Sequence, residues 1–298
     1  MAYSQKAYGL RRARARAKIN LTLHVGRPIL DPHDKFMGYH PLDSLVVFAD
    51  IGDELGIEAA PITRLTLQGE YSRDLSACED NLILRAARSA LNMADMPDSH
   101  FAFDLVKNLP VSSGMGGGSA DSAAALRLLS AYIDLTPSQW HDICVQLGAD
   151  VPVCYLSQTA HMTGIGENIL ALGGLGHIDA VLVNPNLAVS TAQIFKTFDG
   201  AAPQETPRPQ KHTGTLLERA MDGRNDLQPI AIALCPAIAD VLSAVSTQDS
   251  CQLSRMSGSG ATCFGLFPDA DTAHKAAANI AKSRPDWWVK PCRFGDSV

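Results

Sequence analysis

The residues able to do chemistry in this 298-residue chain gather in a few short stretches. The richest runs from Leu109 to Ala125, LPVSSGMGGGSADSAAA, where three consecutive glycines separate a strand-like pattern from an alanine-rich helical one. Gly116, Gly117 and Gly118 lack β-carbons, so the backbone there can adopt positive φ and turn several N–H groups toward one anion. A helix starting at those glycines adds the partial positive charge of its N-terminus. The stretch reads as a phosphate cradle of an uncommon kind. A Walker loop would end in Gly-Lys-Ser/Thr, but this one ends Gly118-Ser119-Ala120, and the glycine spacing of a dinucleotide fingerprint is not met either.

Three other places carry groups that could act. Lys18 and Asn20 belong to Lys18–Val25, KINLTLHV, whose alternation predicts a half-buried strand. Its polar face would hold Lys18, Asn20, Thr22 and His24, with Ile19, Leu21, Leu23 and Val25 turned to the core. Tyr39 and His40 occupy the turn Gly38-Tyr39-His40-Pro41, where an aromatic ring and an imidazole could stack on and hydrogen-bond a planar base. Asp150, in Ala149-Asp150-Val151-Pro152, places a carboxylate on a proline-restrained loop just past a helix C-terminus, whose dipole disfavours an anion. On the residues alone the plainer readings stay open: an edge lysine that snorkels, surface packing of the Tyr-His pair, and a carboxylate bonded to its own turn.

These groups need elements to hold them. Phe101, Phe103 and Leu105 alternate as a strand that Pro110 stops, and Ala125, Leu128, Leu129 and Tyr132 recur as a helix starting at the glycines, with Ser119 or Asp121 as its cap. A core helix over Leu82–Leu91 takes Asp80 as its N-cap. Thr136-Pro137-Ser138-Gln139 forms a capping box before the stripe Trp140, Ile143, Cys144 and Leu147, and Gly148 ends that helix. Strands are expected over Leu45–Ile51, Ala180–Val183 and Thr262–Phe267, a helix over Ala192–Phe198, glycine turns at Gly164–Glu167 and Met256–Ala261, and a long surface loop from Asp199 to Gly214.

The formal charge of −6 and pI near 5.8 provide no electrostatic footprint for nucleic acid. Seven scattered cysteines without a Cys-x-x-Cys pair point to reduced thiols and a cytoplasmic protein, and no apolar run is long enough to span a bilayer. Arg11, Arg12, Arg14 and Arg16 read as a solvated basic tail rather than a transit peptide. No metal-ligand spacing occurs among the nine histidines.

Taken in order, ARAKINLTLHV, GYHPLDSLVVFADIGD, LPVSSGMGGGSADSAAA, GADVPV, GIGE and MSGSGATCFGLF closely resemble the GHMP kinase superfamily, over a span from Lys18 to Phe267. Several blocks in one order are far more specific than any single block. The resemblance implies an α+β, two-domain GHMP kinase fold, with a ribosomal protein S5 domain 2-like N-terminal domain over 1–176 and a ferredoxin-like C-terminal domain over 177–298. It implies transfer of the γ-phosphoryl group of ATP, with Mg2+, to the 2-hydroxyl of a cytidyl-linked methylerythritol on the non-mevalonate route to isoprenoid precursors. That small molecule would be the partner; neither nucleic acid nor membrane is implied, and monomer and homodimer both stay open.

By the same resemblance, Asp150 matches the catalytic aspartate that takes or orients the hydroxyl proton, and Lys18 matches the lysine that supports it and the developing charge. Pro110, Val111, Ser112, Ser113, Gly114, Met115, Gly116, Gly117, Gly118, Ser119 and Ala120 match the ATP loop, whose backbone amides replace the missing Walker lysine. Asn20, Tyr39 and His40 match cytidyl-substrate contacts, and Thr191 and Phe195 match further substrate-side positions. The chain departs from the family pattern at Met115, where leucine is usual, at Ala120, where a second serine is usual, at Pro41, where glutamate is usual, and in an insertion around Asp31–Lys35.

Overall fold

A computed structural model describes residues 10–199 and 213–295, so the expected loop from Asp199 to Gly214 falls almost wholly outside the described residues. In chain order the elements are β1 (Arg11–Asn20), β2 (His24–Val25), β3 (Leu42–Ala59), β4 (Arg64–Gln68), α1 (Leu82–Met93), β5 (Phe101–Val106), α2 (Gly117–Leu129), α3 (Pro137–Leu147), α4 (Val151–Leu156), β6 (Ala160–Gly164), β7 (Asn168–Ala171) and β8 (His177–Asn184). They continue with α5 (Thr191–Asp199), α6 (Leu216–Asp222), α7 (Gln228–Leu234), α8 (Ala237–Ser246), β9 (Leu253–Met256), β10 (Cys263–Phe267), α9 (Ala270–Ser283) and β11 (Trp288–Gly295). Among the described residues no helix is long and apolar enough to cross a membrane.

Two compact units share the chain, and each is discontinuous in sequence. The first holds the segment ending at Arg16, Gly52–Val111 and Gly117–Tyr155. Its strand β5 pairs antiparallel with the end of β3, from Glu54↔Val106 to Ala59↔Phe101, and parallel with β4. The alternating Phe101, Phe103 and Leu105 are buried, and so is the expected stripe of α1: Ile83, Ala87, Ala90 and Leu91. The cap of α1 is Asn81 and not Asp80: the Asn81 side chain accepts from the Ile83 N–H at 3.0 Å, because the turn into the helix comes one residue later than the acid. The capping box at Thr136 and the buried face of α3 form as expected. Arg11, Arg12 and Arg14 are not a tail. They lie on β1 with exposed side chains, and the Arg14 carbonyl accepts from Arg127.

The second unit holds Ala17–Ile51, Ser112–Gly116 and the chain from Leu156 onward. Strand β8 runs antiparallel between β10 and β11, with Val183 opposite both Cys263 and Val289, and β9 borders β10. The hairpin β6–β7 pairs through β6 with the start of β3, from Leu42↔Gly164 to Val46↔Ala160. Helices α5, α7, α8 and α9 contribute Ile194, Ala231, Val241 and Ile280 to one core with Val181 and Val183.

The alternation over Lys18–Val25 does not produce one strand. β1 ends at Asn20, where the Leu45 carbonyl receives both the Leu21 and Thr22 N–H groups, and the chain resumes as β2 at His24. Every residue from Lys18 to Val25 is buried, so the expected solvent-facing side is also interior.

Candidate active site

In the second unit the middle of the glycine loop is laced to the residues around it. Positive φ recurs at every second residue, at Ser112 (51°), Gly114 (75°) and Gly116 (62°). The Lys18 N–H donates to the Met115 carbonyl at 3.0 Å, and the Ser113 carbonyl accepts from the Thr262 N–H at 3.1 Å. The Lys18 side chain is 4% exposed and runs along Gly116: a β-carbon there would lie 3.3 Å from Lys18 Cε and 3.4 Å from its Cβ. Glycine at 116 is thus favoured by its φ, and any side chain there would crowd the lysine beside it. Met115 is fully buried, so the flexible thioether fills the place of the usual leucine by packing.

Next to Lys18 on β1, Asn20 anchors a neutral lattice. Its N–H donates to Ser257 Oγ at 3.1 Å, Ser257 Oγ donates to the Gly114 carbonyl at 3.0 Å, and Asn20 Nδ2 donates to Ser44 Oγ at 2.8 Å. Asn20 Oδ1 is buried without a hydrogen-bond partner among the described residues. The turn carrying Ser257 is held in place by Asn225, whose Nδ2 donates to the carbonyls of Met256 and Gly258, each at 2.8 Å. Arg255 spans from Leu21 to Ala220 and Gly223 through their carbonyls, and burial pulls its pKa down to about 10. Sequence reasoning missed Ser44, Ser257, Asn225 and Arg255. Only Ser257 carried a signal, its place in a glycine turn.

Of the other positions singled out in this unit, His40 is buried, with Nδ1 2.8 Å from the Gly26 carbonyl and Nε2 3.0 Å from Asp199 Oδ1. Its ring packs on Phe195 and Phe198 at centroid distances of 5.1 and 5.8 Å. Tyr39 is 55% exposed, with the Phe36 ring edge-on to it at a centroid distance of 6.4 Å. Thr191, at the start of α5, shares a hydrogen bond of 2.8 Å with Ser259.

In the first unit, Pro110 and Val111 follow β5, and Gly117, Gly118, Ser119 and Ala120 open α2. Neither Ser119 nor Asp121 caps that helix. Asp121 stands inside the first turns, where its carboxylate is drawn to Lys107 Nζ at 2.7 Å, because a buried ammonium outcompetes backbone N–H groups. Ala120 is 2% exposed.

Asp150 is half-buried and lies at the start of α4, not stranded past the end of α3. Its carbonyl accepts from the Cys154 N–H at 3.1 Å, the bond expected of a residue that begins a helix. The dipole of α4 therefore favours the carboxylate that the end of α3 would disfavour.

Residues 81–158 match the GHMP kinases N terminal domain, and residues 210–286 match GHMP kinases C terminal. The 4-diphosphocytidyl-2-C-methyl-D-erythritol kinase of Roseobacter denitrificans is 43% identical over 95% of this chain and 93% of its own. The enzyme of the same name from Paracoccus denitrificans is 46% identical over 94% and 95%. Among solved structures, a 4-(cytidine 5'-diphospho)-2C-methyl-D-erythritol kinase superposes with a TM-score of 0.78 at 28% identity, covering 96% of this chain and all of that one. A homoserine kinase from Cytophaga hutchinsonii shares the fold with a TM-score of 0.71 at 16% identity, over 98% of this chain and 96% of its own.

Proposed function

The chain belongs to the 4-diphosphocytidyl-2-C-methyl-D-erythritol kinase family within the GHMP kinases, and from that premise we propose that it transfers the γ-phosphoryl group of ATP to the 2-hydroxyl of the cytidyl-linked methylerythritol. The observation that carries the assignment of the site is the buried Lys18 lying along Gly116 of the glycine loop. Phosphoryl transfer needs little covalent help, and its catalysis is mostly positioning and charge stabilisation. In this reading Pro110–Ala120 receive the phosphates of ATP on backbone N–H groups, and the Lys18 ammonium stabilises the charge that develops in transfer. Asp150 orients the substrate hydroxyl and takes its proton.

Asn20, Tyr39, His40, Thr191 and Phe195 hold the acceptor. The exposed Tyr39 ring stacks on the cytosine, and Asn20, whose buried Oδ1 has no hydrogen-bond partner among the described residues, lies on the acceptor side. Both ring nitrogens of His40 already have neighbours, so it reads the base only by releasing Asp199. The described residues contain no group of three or more His, Cys, Asp or Glu able to hold a metal by itself. A magnesium ion would arrive on the phosphates of ATP, with the hydroxyl of Ser119 as the hard oxygen donor at the start of α2. Bound there it supplies charge neutralisation on the transferred group.

The test is ATP-dependent phosphorylation of the cytidyl-linked methylerythritol beside mevalonate and homoserine, with wild type and Asp150→Asn. The cytidyl compound should be turned over fastest, and Asp150→Asn should keep ATP affinity while losing about two to four decades of kcat. Faster turnover of mevalonate or homoserine would sink the substrate assignment, and near-native turnover by Asp150→Asn would remove that residue from the chemistry.

A further inference from the structure

Three charged side chains buried in the first unit have no part in the chemistry above. Lys107 follows β5 and is 2% exposed; its Nζ donates to Asp53 Oδ2 at 2.5 Å and to Asp121 Oδ2 at 2.7 Å. Asp53 is fully buried, and its other oxygen, Oδ1, accepts from the N–H groups of Asn108 and Leu109 at 2.6 and 2.9 Å. Those two residues lead directly into Pro110. The Asn108 side chain adds a bond to the Gly52 carbonyl at 3.1 Å, next to Asp53. On the other side of the loop, a β-carbon at Gly117 would come 3.1 Å from Lys107 Nζ. Asp121 belongs to α2 itself.

One ionic cluster thus grips the chain where it enters the glycine loop and again where it leaves as a helix. Stability is a poor reason to keep it, since replacing a buried ion pair by well-packed apolar side chains is often neutral or stabilising. Precision of placement is a better one, because shifting groups that must converge on a ligand by about 1 Å can cost roughly a hundredfold in rate.

We propose that Lys107, Asp53 and Asp121 are positioning residues that fix the entry and exit of the loop Pro110–Ala120, so that its N–H groups converge on the phosphates of ATP. None of the three touches the nucleotide in this scheme. They act through Asn108, Leu109 and Gly117. The proposal rests on the reading of Pro110–Ala120 as the ATP loop.

The experiment measures the dissociation constant of ATP by calorimetry, the KM for ATP and for the cytidyl acceptor, and the melting temperature. The proteins are wild type, Lys107→Arg, Asp53→Asn, Asp121→Asn and Gly116→Val. Gly116→Val, a branched side chain at positive φ against Lys18, tests the loop reading alone; unchanged ATP affinity there overturns that reading. If Gly116→Val weakens ATP, the cluster variants should raise the ATP dissociation constant and KM by about tenfold or more while the acceptor KM stays within about twofold. Native ATP affinity in all three cluster variants, or an equal rise of both KM values that follows the loss of melting temperature, overturns the proposal. Asp121→Asn preserves the shape of the side chain and carries the test even where Asp53→Asn fails to fold.

Discussion

The Lys107–Asp53–Asp121 cluster of the first unit and the Asn20–Ser44–Ser257 lattice of the second are both buried and both bonded to residues of the glycine loop or its approach, yet they are built from opposite materials. In the first, one ammonium meets two carboxylates, and burial makes charge costly unless its bonds are complete. Asp121 Oδ1 lacks a partner among the described residues, and its carboxyl is pushed up to about 7 by burial, which the Asp53 charge reinforces and Lys107 opposes. In the second the groups are neutral, and the atom left over is an amide oxygen, Asn20 Oδ1. A neutral acceptor left unpaired costs about 1–3 kcal/mol, far less than an unpaired buried charge. The comparison teaches that the charged cluster brackets the entry and exit of the loop through Asn108, Leu109 and Gly117, whereas the neutral lattice ties its middle, at Gly114, to Asn20 through Ser257.

The largest test of that contrast removes the ammonium. Lys107→Met leaves two carboxylates facing each other without a cation and should destabilise the fold by about 3–5 kcal/mol in a denaturant titration. A loss below about 1 kcal/mol would mean the cluster is not paired in solution.

The second test sharpens the contrast through pH. The folded-state pKa of Asp121 is raised from 3.8 to about 7, so its stabilising contribution is full below the lower value and drains away as pH rises through the upper one. Wild type should therefore lose stability relative to Asp121→Asn between those two values. Ser44→Ala, in the neutral lattice, should show a constant offset from wild type over the same range. A constant offset for Asp121→Asn as well would place its carboxyl in the ordinary range and break the distinction.

The smallest expected effect is that of Ser257→Ala. It removes the acceptor of the Asn20 N–H and the donor to the Gly114 carbonyl, and should cost about 1–2 kcal/mol of stability with no dependence on pH. A loss as large as that of Lys107→Met would show that the lattice, not the ionic cluster, is the frame.

Much of the fold was legible wherever a local signal is also the deciding one. The box at Thr136, the stripe of α3, the stop at Gly148 and the start of α2 at the glycines all depend on residues within one or two turns. Expectations failed where a distant partner decided. The alternation from Lys18 to Val25 reads as one half-buried strand, but the Leu45 carbonyl takes two N–H groups and β1 ends at Asn20. Asp121 looks like a cap until Lys107 is seen to claim it. From sequence Asp150 reads as a residue past the end of α3, because a helix as short as α4 leaves almost no periodicity to read.

The sequence by itself determined the family, the glycine loop and the identity of the charged and aromatic residues offered as the site, because those follow from residue types in a fixed order. Tertiary structure alone decided which hydrogen bonds those residues make. Ser257 meets Asn20, Asp53 meets Asn108 and Leu109, and Gly116 lies against Lys18 across separations that no local pattern encodes. The physical reason is that a buried polar group must find its partner wherever packing brings one within reach, and chain distance has no bearing on that requirement.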